Sequence, residues 1–400
     1  MKIGIAGPIS TDAIARFLDD DPVGLPGGYH GAPLLGTLIS SLLLRGHTVT
    51  AYTTSADLLI ATGKPIVAMG NRFKIIYCPA RPRAFRYENG QWGRAVDGFR
   101  LERNALREAM LEDPPELIHA HWTYEFALAA LDAGLPHLIT CHDAPQAVLR
   151  HMPNAYRLAR YFMARRALSR AACVTAVSPY AKKMIEGFAR VPVKVIPNPL
   201  PDSLDCSIKR ARQFDPTRPR IAMVLNGWGR LKNPQAALRA FALLRKKIPD
   251  VELTAYGADF GKGEIAQRWA ESEQLSTAVV FRGRVTHDVL LNELAVHDVL
   301  LHPSLLEACP MAVIEAMALG LPVVGGDASG GVPWVVGKGG VLTDIRSPAA
   351  ICEALHAVLV DSNRNAQLSA VARENTIGRF AADVIAEQYE NQYQVALSGY

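Results

Sequence analysis

The sequence predicts an α/β protein built from two Rossmann-like, doubly wound domains facing a central cleft. Three observations lead there. Short β-branched runs alternate with helical runs along the whole chain, the pattern of a parallel sheet covered by helices. The alternation breaks at "PNPLPDSLDCSIKRARQFDPTRPR", a stretch rich in Pro and charge, and then restarts. The length of 400 residues suits two domains at ~100–200 residues each.

In the first half, "KIGIAG", "TVTAYT", "FKIIYC", "ELIHAH", "HLITCH", "CVTAVS" and "VKVIPN" read as strands. Helical runs at 32–45, 101–112 and 179–190 lie between them. In the second half, "RIAMVLNGW", "VELTAYG", "VVFRG", "VLLHPS" and "LPVVGG" read as strands, with helices at 233–247, 262–274, 310–319 and 348–360. A last helical run, 379–393, has no strand after it and must pack on an existing surface. The expected division is therefore a first domain at 1–197, a linker at 198–219, a second domain at 220–378 and a tail helix at 379–400 crossing back to the first domain. In open α/β sheets ligands bind beyond the carboxyl ends of the strands, so the loops there carry the site.

Composition excludes several classes. Apolar content of 49% with 20% charged residues is ordinary for a globular enzyme. A net charge of +5, spread out except over 81–107, does not point to nucleic acid. The run "RPRAFRYENGQWGR" reads first as a solvated loop, with contact to an anionic membrane or an anionic acceptor as the alternative. Six cysteines (78, 141, 173, 206, 309 and 352) form no Cys-x-x-Cys pair. That argues for a reducing compartment and against a disulfide framework or a zinc site. The chain opens as a strand rather than a signal peptide, and no apolar run approaches ~18 residues. A cytoplasmic protein is expected, touching the inner face of the cell membrane at most peripherally.

The stretch that carries chemistry is "HPSLLEACPMAVIEAMALGLPVVGG", residues 302–326. It holds Glu307 and Glu315. Their spacing alone says nothing, since Glu108 and Glu116 share it with Pro114 and Pro115 between them. The surroundings say more. "VLLHPS" is a strand, Glu307 follows its carboxyl end, and Pro310 suits the first position of the next helix. The N–H groups of Met311 and Ala312 at that helix start make an anion site. Carboxylates beside a bound phosphate must bind something else, and sugar hydroxyls suit them. A nucleotide-sugar places a ribose and a hexose on either side of a diphosphate.

These residues resemble the E-x7-E signature of retaining glycosyltransferases of the GT-B fold, family 4. The likeness continues through "LPGGYHGAPLLGTLISSLLLRGHTVTAYT", "ELIHAHW", "LITCHD", "VTAVS", "VKVIPNP", "NGWGRLKNPQAALRAFALL", "YG", "VVFRG" and "GGV", in family order. It implies that Glu307 meets hydroxyls of the donor hexose and that Glu315 grips the ribose. It implies that Lys232, in "LKNP", neutralises the leaving diphosphate, and that His142, in "TCHD", lies near the transferred sugar. Gly27 and Gly28 resemble the loop that lets backbone approach phosphates or sugar.

The sequence also departs from the family. The arginine usual five residues before the lysine is Gly227, so Arg230 is expected to take its place; in an extended loop, residues two apart share a side. Trp334 replaces a glutamate, and Pro199 a glycine after Asn198. His119 and His121 look like a metal pair but lack an acidic or Cys partner nearby, so a core or strand-end role is expected. The Asp-x-Asp around Asp19 to Asp21 reads as a loop. "GADFGKGE" falls short of a phosphate-binding P-loop.

The expected function is transfer of a hexose from a UDP- or GDP-linked sugar to a saccharide, lipid-linked or small-molecule acceptor, with retention and with no metal or other cofactor. The biosynthesis of polysaccharide, lipopolysaccharide or glycolipid is the expected setting. A sugar phosphorylase or nucleotide-sugar epimerase on the same fold, or a non-catalytic nucleotide-sugar binding module, are the alternatives. A dinucleotide oxidoreductase is disfavoured, because neither half has G-x-G-x-x-G after its first strand.

Overall fold

The computed structural model describes residues 1–29, 32–58, 64–88, 90–201, 204 and 214–399. Cys206 and much of the expected linker lie outside the described residues. The chain divides into two compact units, Met1–Pro199 with Ala382–Tyr400, and Leu200–Ala381.

The first unit begins with β1 (Lys2–Ala6), α1 (Thr11–Ile14), α2 (Leu34–Leu44), β2 (Thr48–Ser55), β3 (Ile66–Gly70), β4 (Phe73–Pro79) and α3 (Arg100–Glu112). It continues with β5 (Leu117–His121), α4 (Glu125–Ala133), β6 (His137–Cys141), α5 (Pro145–His151), α6 (Ala155–Arg170), β7 (Val174–Ala176), α7 (Pro179–Ile185) and β8 (Val193–Val195). The sheet order is β3-β4-β2-β1-β5-β6-β7-β8; β3 runs antiparallel to β4, and the other neighbours pair in parallel. β5 and β6 are buried along their whole length, as parallel strands covered on both faces should be. Ile3 and Ile5 of β1 pack with Leu35, Leu38, Ile39 and Leu42 of α2, a helix apolar nearly all round because it is buried nearly all round.

The second unit contains β9 (Arg220–Val224), α8 (Pro234–Arg245), β10 (Glu252–Tyr256), α9 (Ile265–Ser272), β11 (Val279–Gly283), α10 (His287–Leu294) and β12 (Val299–His302). Then follow α11 (Met311–Ala318), β13 (Val323–Gly326), α12 (Val332–Val336), β14 (Gly340–Thr343), α13 (Pro348–Leu359) and α14 (Ser362–Phe380). Its sheet is parallel throughout, in the order β11-β10-β9-β12-β13-β14. Ile221, Met223, Leu253, Val299 and Val324 of the sheet pack with Phe241 of α8.

The last helix, α15 (Ala382–Ser398), belongs to the first unit and packs on α2, β5 and β6. Tyr389 and Tyr393 of α15 are buried there, while Glu390 binds Arg45 and His47.

Two strands have no counterpart in the sequence reading. β3 and β14 are both edge strands, and neither is fully buried at any residue. Half-exposed short strands carry little periodic signal.

Each sheet has one place where its strand order reverses. In the first unit it lies between β1 and β5, in the second between β9 and β12. Loops leaving those strands carry most of the expected site residues.

Candidate active site

In the second unit, the loop after β9 closes with a 3-10 turn, Arg230–Lys232, and Asn233 follows in the left-handed region at φ 53°. The Asn233 amide donates to the carbonyls of Pro303 at 3.2 Å and Ile345 at 2.7 Å, tying this loop to the end of β12. That tie sets Lys232 against the segment after β12, and Lys232 Nζ lies 2.7 Å from Glu307 Oε1. Glu307 is fixed from behind: its backbone carbonyl accepts from Gly331 N at 2.7 Å. Burial opposes ionisation of Glu307, but Lys232 and His302 outweigh it and hold the carboxyl below its usual range. His302 itself is pushed down to about 4, mainly by burial.

α11 begins after Pro310 with no side-chain cap, and its first backbone bonds run from Val313 and Ile314 to the Pro310 carbonyl. The N–H groups of Met311 and Ala312 precede those bonds and have no acceptor within the helix. Glu315 sits one turn deeper, only 4% exposed. Its Oε1 meets His287 Nε2 at 3.0 Å, at the start of α10. The hydrogen bond to Glu315 raises the His287 pKa against the effect of burial. The sequence reading missed His287, because nothing in "VTHD" marks a histidine that meets a carboxylate 28 positions on.

One expectation about this loop needs correction. Arg230 and Lys232 do not stand in an extended segment, where side chains two apart share a side. They stand in a 3-10 turn, where that offset is about 240°. Arg230 is exposed, whereas Lys232 is half-buried and paired. The absent arginine also has a backbone reason. Gly227 has φ 100°, a conformation that residues with side chains rarely adopt. Trp334, at the position of the family glutamate, lies under the Arg379 guanidinium at 4.5 Å, and Arg379 donates to the Trp334 carbonyl at 3.0 Å.

In the first unit, Gly28 has φ 71°, and a Cβ there would meet the Ile9 carbonyl oxygen at 2.4 Å. Only glycine fits. Gly27 donates its N–H to Asp57 Oδ2 at 3.1 Å and accepts from Thr11 N at 3.1 Å. Both glycines thus serve a local fold-back of this loop onto the end of β1.

His142 follows β6. Its ring stacks on Trp122 at 4.3 Å, and its Nε2 lies 2.9 Å from His121 Nδ1. Burial lowers the His142 pKa to about 3, with Asn198 opposing. The next residue, Asp143, is raised by burial despite Arg160 and an accepted bond from Tyr124 Oη at 2.7 Å. His119 and His121 are fully buried, and the described residues contain no group of three His, Cys, Asp or Glu placed to hold a metal ion. His119 instead meets Tyr393 Oη at 2.9 Å and Thr140 Oγ1 at 2.7 Å.

The basic run over 81–107 separates into two parts. Arg81 is internal, joined to both Asp97 and Glu102, and staples the loop. Phe85, Tyr87 and Trp92 are 41%, 60% and 60% exposed, so the aromatic part of the run does face outward. No helix among the described residues is long and apolar enough to cross a membrane.

Two doubly wound units, one ending in a lysine–glutamate pair beside an uncapped helix, define a glycosyltransferase of the GT-B type. Residues 34–204 match the family described as Glycosyltransferase Family 4, and residues 207–375 the one described as Glycosyl transferases group 1. The chain belongs to this family of glycosyltransferases. It is 26% identical over 382 residues to a D-inositol 3-phosphate glycosyltransferase of Stackebrandtia nassauensis, covering 88% of this chain and 84% of that one. It is 27% identical over 310 residues to a 2-deoxystreptamine N-acetyl-D-glucosaminyltransferase of Streptomyces fradiae, covering 71% and 72%. Among solved structures, sucrose-phosphate synthase from Thermosynechococcus elongatus superposes with a TM-score of 0.71 at 18% identity, over 100% of both chains. Anabaena HepE, solved with UDP and glucose, superposes at 0.66 and 17%, over 99% of this chain and 100% of that one. At such identities the structural likeness speaks for the fold.

Proposed function

We propose that this glycosyltransferase moves a hexose from a UDP- or GDP-linked sugar to a saccharide, lipid-linked or small-molecule acceptor, keeping the anomeric configuration and requiring no metal. The observation that carries the reading is the Lys232–Glu307 pair beside the start of α11, with Glu315 buried one turn deeper. Donor binding would let each charge exchange its partner. Lys232 turns to the diphosphate, Glu307 to hexose hydroxyls, and Glu315 accepts the ribose hydroxyls. The Met311 and Ala312 N–H groups add two donors toward phosphate. Arg230, exposed on the same turn, adds charge from further out; the role proposed for Gly27 and Gly28 beside phosphates or sugar rests on the family resemblance. The sugar contact proposed for His142 rests on the family resemblance alone.

In the reaction the bond from the anomeric carbon to the diphosphate breaks, and the bond to the acceptor oxygen forms on the same face. The acceptor proton passes to the departing phosphate oxygen. Lys232 and the helix start stabilise the charge that grows on that phosphate. The chain would act in the cytoplasm, with the exposed aromatics Phe85, Tyr87 and Trp92 and their neighbouring arginines resting on an anionic membrane.

The test is a screen of UDP- and GDP-sugars by thermal shift, followed by NMR of the product. A stabilising donor and a product of unchanged anomeric configuration, formed equally in EDTA, are expected. An inverted product or strict metal dependence would overturn the reading.

A further inference from the structure

His287 and Glu315 meet at the ligand edge of the second unit. β11 ends at Gly283, whose carbonyl accepts from Gly257 N at 2.8 Å and so ties this strand end to the end of β10. A short connection leads into α10, and His287 is the first residue of that helix. The bond from Leu290 N to the Thr286 carbonyl, at 2.9 Å, closes the first turn and fixes where the ring stands. In a doubly wound sheet such strand-to-helix connections lie at the carboxyl edge, where ligands bind. α11 starts at the same edge, after β12, and carries Glu315 one turn in. Two separate crossovers thus bring a histidine and a carboxylate together, with His287 Nε2 3.0 Å from Glu315 Oε1.

Elementary chemistry fixes the direction of this bond. A carboxylate brings lone pairs only, so the ring donates. Where an imidazole and a carboxyl compete for one proton, the imidazole holds it more tightly by about two pH units. Three features then give the contact a use. The Glu315 side chain is only 5% exposed, and a buried carboxylate without a donor is costly; His287 supplies that donor. The His287 side chain is 36% exposed, so this corner is open to the outside. Glu315 Oε2 has no hydrogen-bond partner among the described residues, and it is not sealed from solvent. One oxygen is pinned and the other is left to accept. A ribose offers two neighbouring O–H donors, and a carboxylate that gives one lone pair to a histidine keeps enough for both.

We propose that His287 is a positioning residue for donor binding: it donates Nε2–H to Glu315 Oε1, fixes the rotation of that carboxylate, and leaves Oε2 to accept from the hydroxyls of the donor ribose. The ribose contact rests on the function proposed above; the contact between His287 and Glu315 does not. Without His287, Glu315 keeps its place on α11 but loses the donor that orients it. The loss then falls on the ribose and spares the base and the diphosphate.

Calorimetry on the full chain separates this role from packing, with UDP, GDP and their 2′,3′-dideoxy forms as probes. Glutamine carries its amide nitrogen close to where histidine carries Nε2, so His287→Gln keeps the donor. His287→Leu removes it at similar bulk. The wild type should bind UDP or GDP, and the dideoxy form more weakly. His287→Leu should lose about tenfold in affinity for the ribonucleotide, the scale of one hydrogen bond to a charged group, and nothing for the dideoxy form. His287→Gln should keep most of the wild-type affinity. Should the leucine variant not fold, His287→Ala takes its place in the same comparison. Unchanged ribonucleotide affinity in His287→Leu would overturn the proposal. So would a loss of equal size for the ribonucleotide and its dideoxy form, which marks a packing role, or an equal loss in His287→Gln. A wild type that binds neither UDP nor GDP would overturn the proposed function and this role with it, whereas a wild type that binds one of them beside an unaffected His287→Leu would overturn this role alone.

Discussion

Lys232 Nζ and Glu307 Oε1 lie 2.7 Å apart, so two residues proposed to grip different parts of the donor also grip each other. The pair is partly buried, with side chains 30% and 19% exposed. Neither charge is left alone, because each has the other as its partner.

Removing one member should cost more than removing both. Lys232→Met leaves Glu307 half-buried without its lysine, and should lower stability by ~1–2 kcal/mol, below the range for fully buried pairs. Adding Glu307→Gln should restore most of that stability but not activity. The pair also predicts an acid limb. Because the Glu307 pKa is lowered on folding, its contribution is present above the ordinary carboxylate value near ~4.3 and is lost as pH falls through the folded value. Urea titrations of the single and double variants between about pH 3 and 7 measure both effects; a double variant no more stable than Lys232→Met would refute the coupling.

The contact between Glu315 and His287 has the opposite sign. His287 gains a partner and its pKa rises, so its stabilisation is full below about 6.5 and fades as pH climbs through the raised value. His287→Asn should remove that fading, as seen in unfolding midpoints at about pH 6 and 8.

The two glutamates should then separate in binding. Glu315→Ala should weaken the free nucleoside diphosphate by about tenfold or more, the ~1.5–3 kcal/mol of a hydrogen bond to a charged group. Glu307→Ala should leave that affinity nearly intact while losing turnover. Calorimetry with the nucleotide alone distinguishes them, and equal losses would end this division of labour.

Much of this was legible beforehand, for identifiable reasons. Buried parallel strands such as "LIHAH" and "HLITC" announce themselves because both faces are covered. Pro310 and Glu307 could be placed at a helix start and a strand end because those roles are local. What depends on contacts between distant residues was not legible. His287 meeting Glu315, Asn233 tying the lysine loop to Pro303, and His121 meeting His142 join residues 21 to 70 positions apart. Arg230 was misplaced for a local reason, a 3-10 turn of three residues where an extended loop was expected.

Gly28 should tolerate no side chain. Its positive φ opposes Gly28→Ala, and so does the Ile9 carbonyl oxygen, 2.4 Å from where the new Cβ would stand; the variant should lose ~1–3 kcal/mol. Gly27→Ala, with no such φ, should lose less. Thermal unfolding of the two variants side by side checks the order, and an equally stable Gly28→Ala would mean that the loop can take another path past Ile9.

Arg230 and Gly227 give the last prediction. An arginine at 227 would have to adopt φ 100°, so the family's arrangement is incompatible with this backbone without strain of ~1–3 kcal/mol. Arg230 is exposed and divided from Lys232 by the geometry of the turn, so the role proposed for it at the diphosphate is one exerted through water. Its help should be modest and sensitive to salt, because exposed charges are screened over about 10 Å at 0.1 M. Lys232, half-buried and already aligned on Glu307, should supply most of the neutralisation. Arg230→Ala should therefore raise the donor KM a few-fold, an effect of under ~1 kcal/mol that fades at high salt. Lys232→Ala should lower kcat/KM by ~10²–10³ at any salt, as when one preorganised donor is removed. Kinetics of the two variants at low and high ionic strength separate these roles. A loss in Arg230→Ala that equals that of Lys232→Ala, and that salt does not reduce, would mean the turn rearranges to bring both cations onto the diphosphate.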